Sequence, residues 1–391
     1  MTTLSPASEA QACDAVRTAR DAGRTLEIVG GGTRAGLGRP VQADDALSTR
    51  ALSGITIYEP AELVLSARAG TPLAEVEAAL AEKGQMLPFE PMDHRPLYGA
   101  GGEPTIGAVA ACNICGPRRV KSGAARDSVI GVRLVNGAGE AVKSGGRVMK
   151  NVTGLDLVKL VCGAHGTLGL LTEVTFKLLP RPERIGTLVL DGLSDADAIA
   201  AMAAALATPF EVSAAAHLPG QSPRTLLRVE HFANSVDYRL AELRKHLARF
   251  GGARTLFDDE ATALWREIRD GAPLRAAADE AVWRVSLPPS RAASFVAELG
   301  AAGLARDQFY DWGGGLVWLA TRLEAVASGA VHGAAALAKG HATLIRAPED
   351  ARAQAQVFQP LARPLMELST RVKASFDPAR VLNPGRMYAG V

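Results

Sequence analysis

Cysteine is scarce in this chain, with only Cys13, Cys112, Cys115 and Cys162 among 391 residues. That scarcity argues against a disulfide-built scaffold and for reduced thiols in the cytoplasm, because a core of this size holds without covalent staples. No uninterrupted apolar run approaches the ~18 residues that a spanning helix needs. Met1 to Ala12 has no basic segment followed by an apolar one, so no secretory signal is expected. Neither sign of charge is in excess, since 43 Lys and Arg against 41 Asp and Glu leave +2. A near-neutral chain with no clustered basic face gives no reason to expect a nucleic-acid partner. The composition, 48% hydrophobic and 21% charged, is that of a globular chain. Its length predicts two or three domains at roughly 150 residues each.

The first block, to about Pro182, alternates helix and strand signals. Ala7–Ala22 has helical apolar spacing stopped by Gly23, and Thr25–Val29 is a short β-rich run that ends in three glycines. Val64–Ala69 reads as a strand, Pro72 opens a helix and Gly84 closes it. Val129–Val135 predicts a strand turning at Asn136-Gly137, and Leu168–Leu178 predicts another that ends at Pro180 and Pro182.

From Arg184 to Arg346 the rhythm changes. Strand, helix, strand, strand, helix is followed by an approximate repeat of the same order and a last strand at Ala342–Arg346. This predicts an antiparallel sheet covered on one face by helices. The tail, a helix over Leu361–Ala374 followed by turn-rich residues to Val391, is expected to return to the first block. The expected division is therefore 1–182, 183–350 and 351–391, in the α+β class.

Gly30-Gly31-Gly32-Thr33-Arg34-Ala35-Gly36 follows a short strand. Glycines let the backbone approach a ligand closely, and successive amides turned into one hollow bind an anion such as a pyrophosphate. A Rossmann turn requires a helix to start inside the motif, but Gly36, Gly38 and Pro40 follow. A Walker loop requires Gly-Lys-Ser/Thr, which is absent. A pyrophosphate loop with no helix behind it remains, beside the plainer reading of a glycine-rich turn.

Three further segments belong with it. Gly99–Arg119 is glycine-rich yet apolar, which suits backbone lying flat against a planar ligand; Gly145–Gly154 and Gly163–Thr175 follow. In this order, and with the tail Phe376-Asp377-Pro378 and Asn383-Pro384-Gly385-Arg386-Met387-Tyr388, they resemble the vanillyl-alcohol-oxidase (PCMH-type) FAD-linked oxidase family. Within it they are similar to the FAD-binding subunits of bacterial glycolate oxidases. The resemblance covers about the first 180 residues and the last 20, with the middle block matching only as the expected cap domain.

The resemblance implies a two-part PCMH-type FAD-binding domain plus a cap domain, and residue roles with it. Gly30, Gly31, Gly32, Thr33, Arg34 and Gly36 would hold the FAD pyrophosphate. Thr105, Ile106, Gly107, Gly116, Arg126 and Asp127 would lie along the ribityl chain, the ring and the adenosine half. Gly166, Thr167, Leu168, Gly169 and Leu170 would present backbone to the flavin or adenine, and Asn383 and Arg386 would approach the ring edge. Three positions depart from the family pattern: Ala108 for a second glycine, Leu155 for a tyrosine and His165 for a serine- or glutamate-like residue. With no histidine in the glycine loop, non-covalent FAD is expected.

The family's catalytic branch carries a clustered histidine metal site, whereas the seven histidines here stand singly. Among weak catalytic candidates are His231 beside Glu230, His341, and Arg346, whose fork suits a substrate carboxylate. No metal is expected. Cys112 and Cys115 have the spacing of a redox pair or half a zinc site, and are expected instead to pack against the cofactor. The resemblance thus implies an FAD-carrying subunit that passes electrons or supports assembly in a complex oxidising glycolate, a small 2-hydroxyacid, to glyoxylate, beside a second, catalytic FAD-linked subunit and an iron–sulfur subunit. It would be cytoplasmic, meeting the inner face of the plasma membrane only through partners. A self-sufficient 2-hydroxyacid dehydrogenase and a flavin-less structural subunit stay open as alternatives.

Overall fold

A computed structural model of the chain describes residues 1–146 and 155–391; the motif Val148–Gly154 lies outside the described residues. The chain divides into two compact units. The first holds Met1–Cys115, Gly123–Arg181 and Leu361–Val391; the second holds Gly116–Ser122 and Pro182–Pro360.

In the first unit the helix Glu9–Asp21 begins where Ser8 Oγ accepts the Gln11 N–H, while Gln11 Oε1 accepts from Ala7 N at 2.8 Å. Reciprocal bonding of this kind satisfies amides that a helix start leaves orphaned. Gly23, at φ 64°, follows its end. One stripe, Ala12, Cys13, Val16 and Ala19, is buried against Leu26, Leu47, Val135 and Leu170. The strand Asp45–Ser48, buried throughout, lies between Thr2–Leu4 and Leu26–Val29 and pairs parallel with both. A five-stranded antiparallel sheet has the order Ile55–Glu59, Val64–Arg68, Leu170–Lys177, Val129–Val135, Ala141–Gly145. Glu9 ties the helix to it through Arg133 and Thr172.

The second unit has one eight-stranded antiparallel sheet. Its order is Ala253–Phe257, Arg184–Asp191, Arg224–His231, Ala214–Leu218, Ala305–Asp311, Leu316–Thr321, Ala281–Ser286, His341–Arg346. Within each half, the strands in chain order lie 4-1-3-2, and the halves join through their second strands at His217 and Tyr310. Each half is thus a β-α-β-β-α-β unit, and the sheet is two such units back to back.

Helices Asp195–Leu206, Ala233–His246, Ala292–Ala301 and Ala330–Leu337 bury one face around Trp283, Leu227, Val317 and Leu344. The helices Glu324–Ala327 and Ala330–Leu337 are separated by Gly329 at φ 67°. Between the halves lies Asp258–Arg269, whose Trp265 donates to Thr187 and stacks on Arg228. Thr187 and Arg228 alternate with the core residues Leu188 and Leu227, so this helix covers the other face.

Candidate functional site

The strand Leu26–Val29 runs directly into the glycine loop, and no helix follows. The loop closes on itself through Ala35 N to Gly32 O and Leu37 N to Arg34 O. Beside it lies an open cleft, lined by Ile28 to Arg34, the helix Ile106–Ala111, the His165-Gly166 turn and the tail.

The glycines divide the work. A side chain at Gly31 would strike the Glu103 carbonyl, and one at Gly30 would stand 2.5 Å from Thr105 Oγ1. At Gly107 a Cβ would come 2.7 Å from the Ala69 carbonyl, and at Gly36 it would meet the Tyr98 ring at 2.6 Å. Gly31 and Gly107 let backbone segments touch, Gly30 and Gly36 make room for the Thr105 and Tyr98 side chains, and together they form the wall. Gly32 is different, at φ 79° with nothing near its missing Cβ.

Two polar groups at this wall are unsatisfied. Arg34, 7% exposed, gives Nε to His94 Nδ1 at 3.3 Å and Nη2 to the Met92 carbonyl at 3.1 Å, while Nη1 has no partner. Burial pulls its guanidinium below its ordinary range. Thr105 Oγ1 is likewise buried without a partner. A buried cation with a spare donor beside a glycine loop is complementary to a pyrophosphate, so the donor set fits FAD.

The tail is fastened at both ends of the loop. Leu26 N donates to Val381 O and Asn383 N to Leu26 O, extending the strand that leads in. Asn383 Oδ1 accepts from Ile28 N at 2.7 Å, and its Nδ2 donates to His165 O at 2.8 Å. Beyond the loop, Arg39 N donates to Arg386 O. Arg386 also reaches Glu27 at 3.5 Å. Beneath this, Lys373 Nζ donates to Asp377 Oδ2, Thr167 O and Leu382 O, at 2.7, 2.7 and 2.8 Å. Asp377 accepts in turn from the amides of Val381 and Leu382. Sequence reading passed over Lys373, although a Lys-x-x-x-Asp at a helix end was its visible signal.

The other expected residues are distributed as follows. Gly166, Gly169, Asn383 and Arg386 line the cleft; Ile106, Leu168 and Leu170 are buried. Thr167 caps its own turn through Ala164 O. Arg126 and Asp127 have exposed side chains, and Asp127 caps the turn at Ala124. Gly116 belongs to the second unit, where its carbonyl accepts from Trp312 Nε1. Residues at the cleft that sequence reasoning missed include Ile28, Ala69, Ala111 and Leu171. Of the positions that depart from the family pattern, Ala108 and His165 line the cleft, with His165 pulled down to about 4 by burial and then by Arg386; Leu155 is exposed. Burial raises the Cys112 thiol, which also faces the cleft.

In the second unit Arg346 spends Nη2 on the carbonyls of Ala276 and Ala277, at 3.1 and 2.6 Å. Glu230, beside His231, is held by Arg118 at 2.7 Å and by Arg228, and is lowered to about 2 despite its burial. Partial burial, then Arg284 and Arg119, lower His341. Four strands separate those of His231 and His341, about 24 Å at ~4.8 Å per strand. These candidates therefore form no single site. Among the described residues no three His, Cys, Asp or Glu side chains are grouped to hold a metal.

Residues 2–145 match the model of a family described as FAD binding domain. Glycolate oxidase subunit GlcE of Escherichia coli K12 is 37% identical, over 93% of this chain and 93% of that protein. Glycolate oxidase subunit GlcD of Bacillus subtilis 168 is 31% identical over 38% of this chain and 30% of that protein. The solved structure of an alkyldihydroxyacetonephosphate synthase covers 98% of this chain and 76% of its own at a TM-score of 0.68. At 16% identity that likeness speaks for the fold alone.

Proposed function

Since this chain belongs to the family of FAD-binding glycolate oxidase subunits, we propose that it carries FAD within a multi-subunit complex that oxidises glycolate to glyoxylate. Its place there is to pass electrons or support assembly, beside a second, catalytic FAD-linked subunit and an iron–sulfur subunit. The observation that carries this reading is the glycine wall with the spare Arg34 donor above it.

Bound FAD supplies a two-electron acceptor that can also release electrons singly. The chain's own residues bind and orient it. Loop amides from Gly30 to Thr33 and the Arg34 guanidinium hold the diphosphate, Gly36 sets the loop against Tyr98, and Thr105 offers a hydroxyl. Gly107, Gly166 and Gly169 form the walls, and Asn383 and Arg386 close the cleft from the tail. Non-covalent binding is supported by the glycine loop, which holds no histidine, and by the Cys112 thiol, which burial raises and so keeps protonated. Acid precipitation should leave the flavin in solution.

Placing α-proton removal on the partner is supported by the scatter of the histidines. His217 and His332 are inside the core, while His231 and His341 are on distant strands. No helix among the described residues is long and apolar enough to cross a membrane. Attachment at the inner face of the plasma membrane through partners belongs to the same proposal, and membrane fractionation with and without the partner subunits tests it.

The purified chain should show flavin bands at roughly 370 and 450 nm. With glycolate and an artificial acceptor it should turn over only after the partners are added. Robust turnover by the isolated chain would establish a self-sufficient dehydrogenase instead, and missing flavin bands a structural subunit.

A further inference from the structure

The helix-covered face of the eight-stranded sheet carries Trp283, Val285, Val317, Leu319 and Leu344. Side chains alternate along strands, so the intervening residues face the other way. Register sets one row of them across four strands: Phe309 opposite Trp318, Trp318 opposite Arg284, Arg284 opposite Thr343. Phe309 and Trp318 stack at 6.0 Å and 15°.

The Arg284 guanidinium lies 5.4 Å from the Trp318 ring centre and 5.3 Å from that of Trp312. Its Nε is buried with no partner, and it makes no hydrogen bond or ion pair with any described residue. Indole faces soften the removal of a cation from water, but they accept none of its N–H donors. Every other feature here looks prepared. Trp312 holds an unfavourable φ of 54° between Asp311, which accepts its amide, and Gly116 O, which accepts its indole N–H at 3.1 Å. Backbone strain of this kind persists where its surroundings over-determine it, often at ligand sites. Arg119 brings a second guanidinium to 4.8 Å from the same ring, on a segment anchored by the Arg118–Glu230 and Lys121–Glu211 pairs. His341, opposite Ser286, shares the face of Arg284.

We propose that Arg284, with Arg119 and the walls of Trp312 and Trp318, is a binding site for a small organic carboxylate. A guanidinium confined by indoles offers in-plane donors, which match the two oxygens of a carboxylate, and the rings suit a short carbon chain. Resting on the function proposed above, the ligand class is the 2-hydroxyacid or 2-oxoacid anion that the complex handles. Arg284 thereby takes the role that sequence reasoning gave to Arg346.

The test is tryptophan emission of the FAD-loaded chain during titration with glycolate and glyoxylate at constant ionic strength, with glycolamide and chloride as controls. Saturable change with the two acids, but not with the controls, is the expected result. Arg284→Gln should weaken it about tenfold or more, the loss of a charged two-point contact, with flavin bands and thermal midpoint unchanged. Arg284→Lys should retain part of the affinity, and Trp312→Phe should remove most of the signal. No saturable response, an equal response to chloride, or an acid affinity in Arg284→Gln equal to that of the unaltered chain overturns the site. A chain that shows flavin bands but no acid response loses this site alone. A chain that answers to acids without binding flavin loses the FAD reading and keeps the site.

Discussion

Lys373 in the first unit is 1% exposed and gives its ammonium hydrogens to Asp377, Thr167 and Leu382. Arg284 in the second is confined by two indoles and gives its hydrogens to none of the described residues. Lys373 is buried and Arg284 half-buried, and the contrast separates holding from waiting. A cation saturated by a carboxylate and two carbonyls fixes the chain around it, here the tail that closes the cleft. A cation left with free donors contributes no such order and is available to something that arrives. Arg34 is between them, with two groups bonded and Nη1 free.

The largest effect is expected at the saturated end. Lys373→Met leaves Asp377 buried and uncompensated, and breaking one side of such a pair costs about 3–5 kcal/mol. Asp377→Asn should do comparable harm, while removing both should cost less than the sum. Urea unfolding of the FAD-loaded protein measures this, and flavin should be released with the tail. Arg284→Gln should not lower stability at all. Equal losses at the two positions would erase the distinction.

Glu230 allows the same contrast to be drawn with pH. Its folded-state pKa is lowered to about 2 from the ordinary 4.5, with Arg228 and Arg118 holding the carboxylate charged against burial. A depressed carboxylate contributes stability that is fully present above pH 4.5 and is lost as pH falls towards 2. The loss should be on the order of 3 kcal/mol. Glu230→Gln should be destabilised at neutral pH and show a flatter acid limb, as read by thermal midpoints across that window.

Arg34→Met tests the intermediate case. Removing a buried guanidinium should leave the flavin-free protein as stable as before. FAD binding should weaken by about 10- to 100-fold, from ~1.5–3 kcal/mol for a hydrogen bond to charge. Flavin retention on dilution, followed by fluorescence, reads it.

How much of this was visible in the sequence follows from the range of each signal. Helical spacing from Ala7 to its stop at Gly23, Asn136-Gly137 and the glycine loop act within a few residues, and those elements appear where expected. The doubled strand–helix rhythm was legible too, but its 4-1-3-2 order was not, because order depends on which distant strands pair. The helix Asp258–Arg269 was overlooked although Ala261, Leu264, Trp265 and Ile268 fall at helical spacing. In the cleft, glycine motifs announced the wall, but its purpose was half hidden. Gly31 is required by the Glu103 carbonyl, and Glu103 belongs to another motif. Arg284 gave no signal at all, since its character comes from standing opposite Trp318 and Thr343. Arg346 has the same chemistry in sequence and spends its donors on Ala276 and Ala277.

The smallest effect is expected at Gly32, and it separates the two duties of glycine in the loop. Nothing lies within 4 Å of where its side chain would be, so no clash follows from adding one. What remains is the backbone, at φ 79°. An L-residue with a Cβ pays about 1–2 kcal/mol there, whereas asparagine tolerates the left-handed region better through its own short-range hydrogen bonding. Gly32→Ala should therefore lower the thermal midpoint modestly, and Gly32→Asn less. If the open space beside Gly32 is where the cofactor lies, both variants should weaken FAD binding by more than their loss of stability explains. Should FAD affinity follow stability alone in both, the hollow at Gly32 serves the turn and not the ligand, and the anion hold rests on Arg34 and the neighbouring amides.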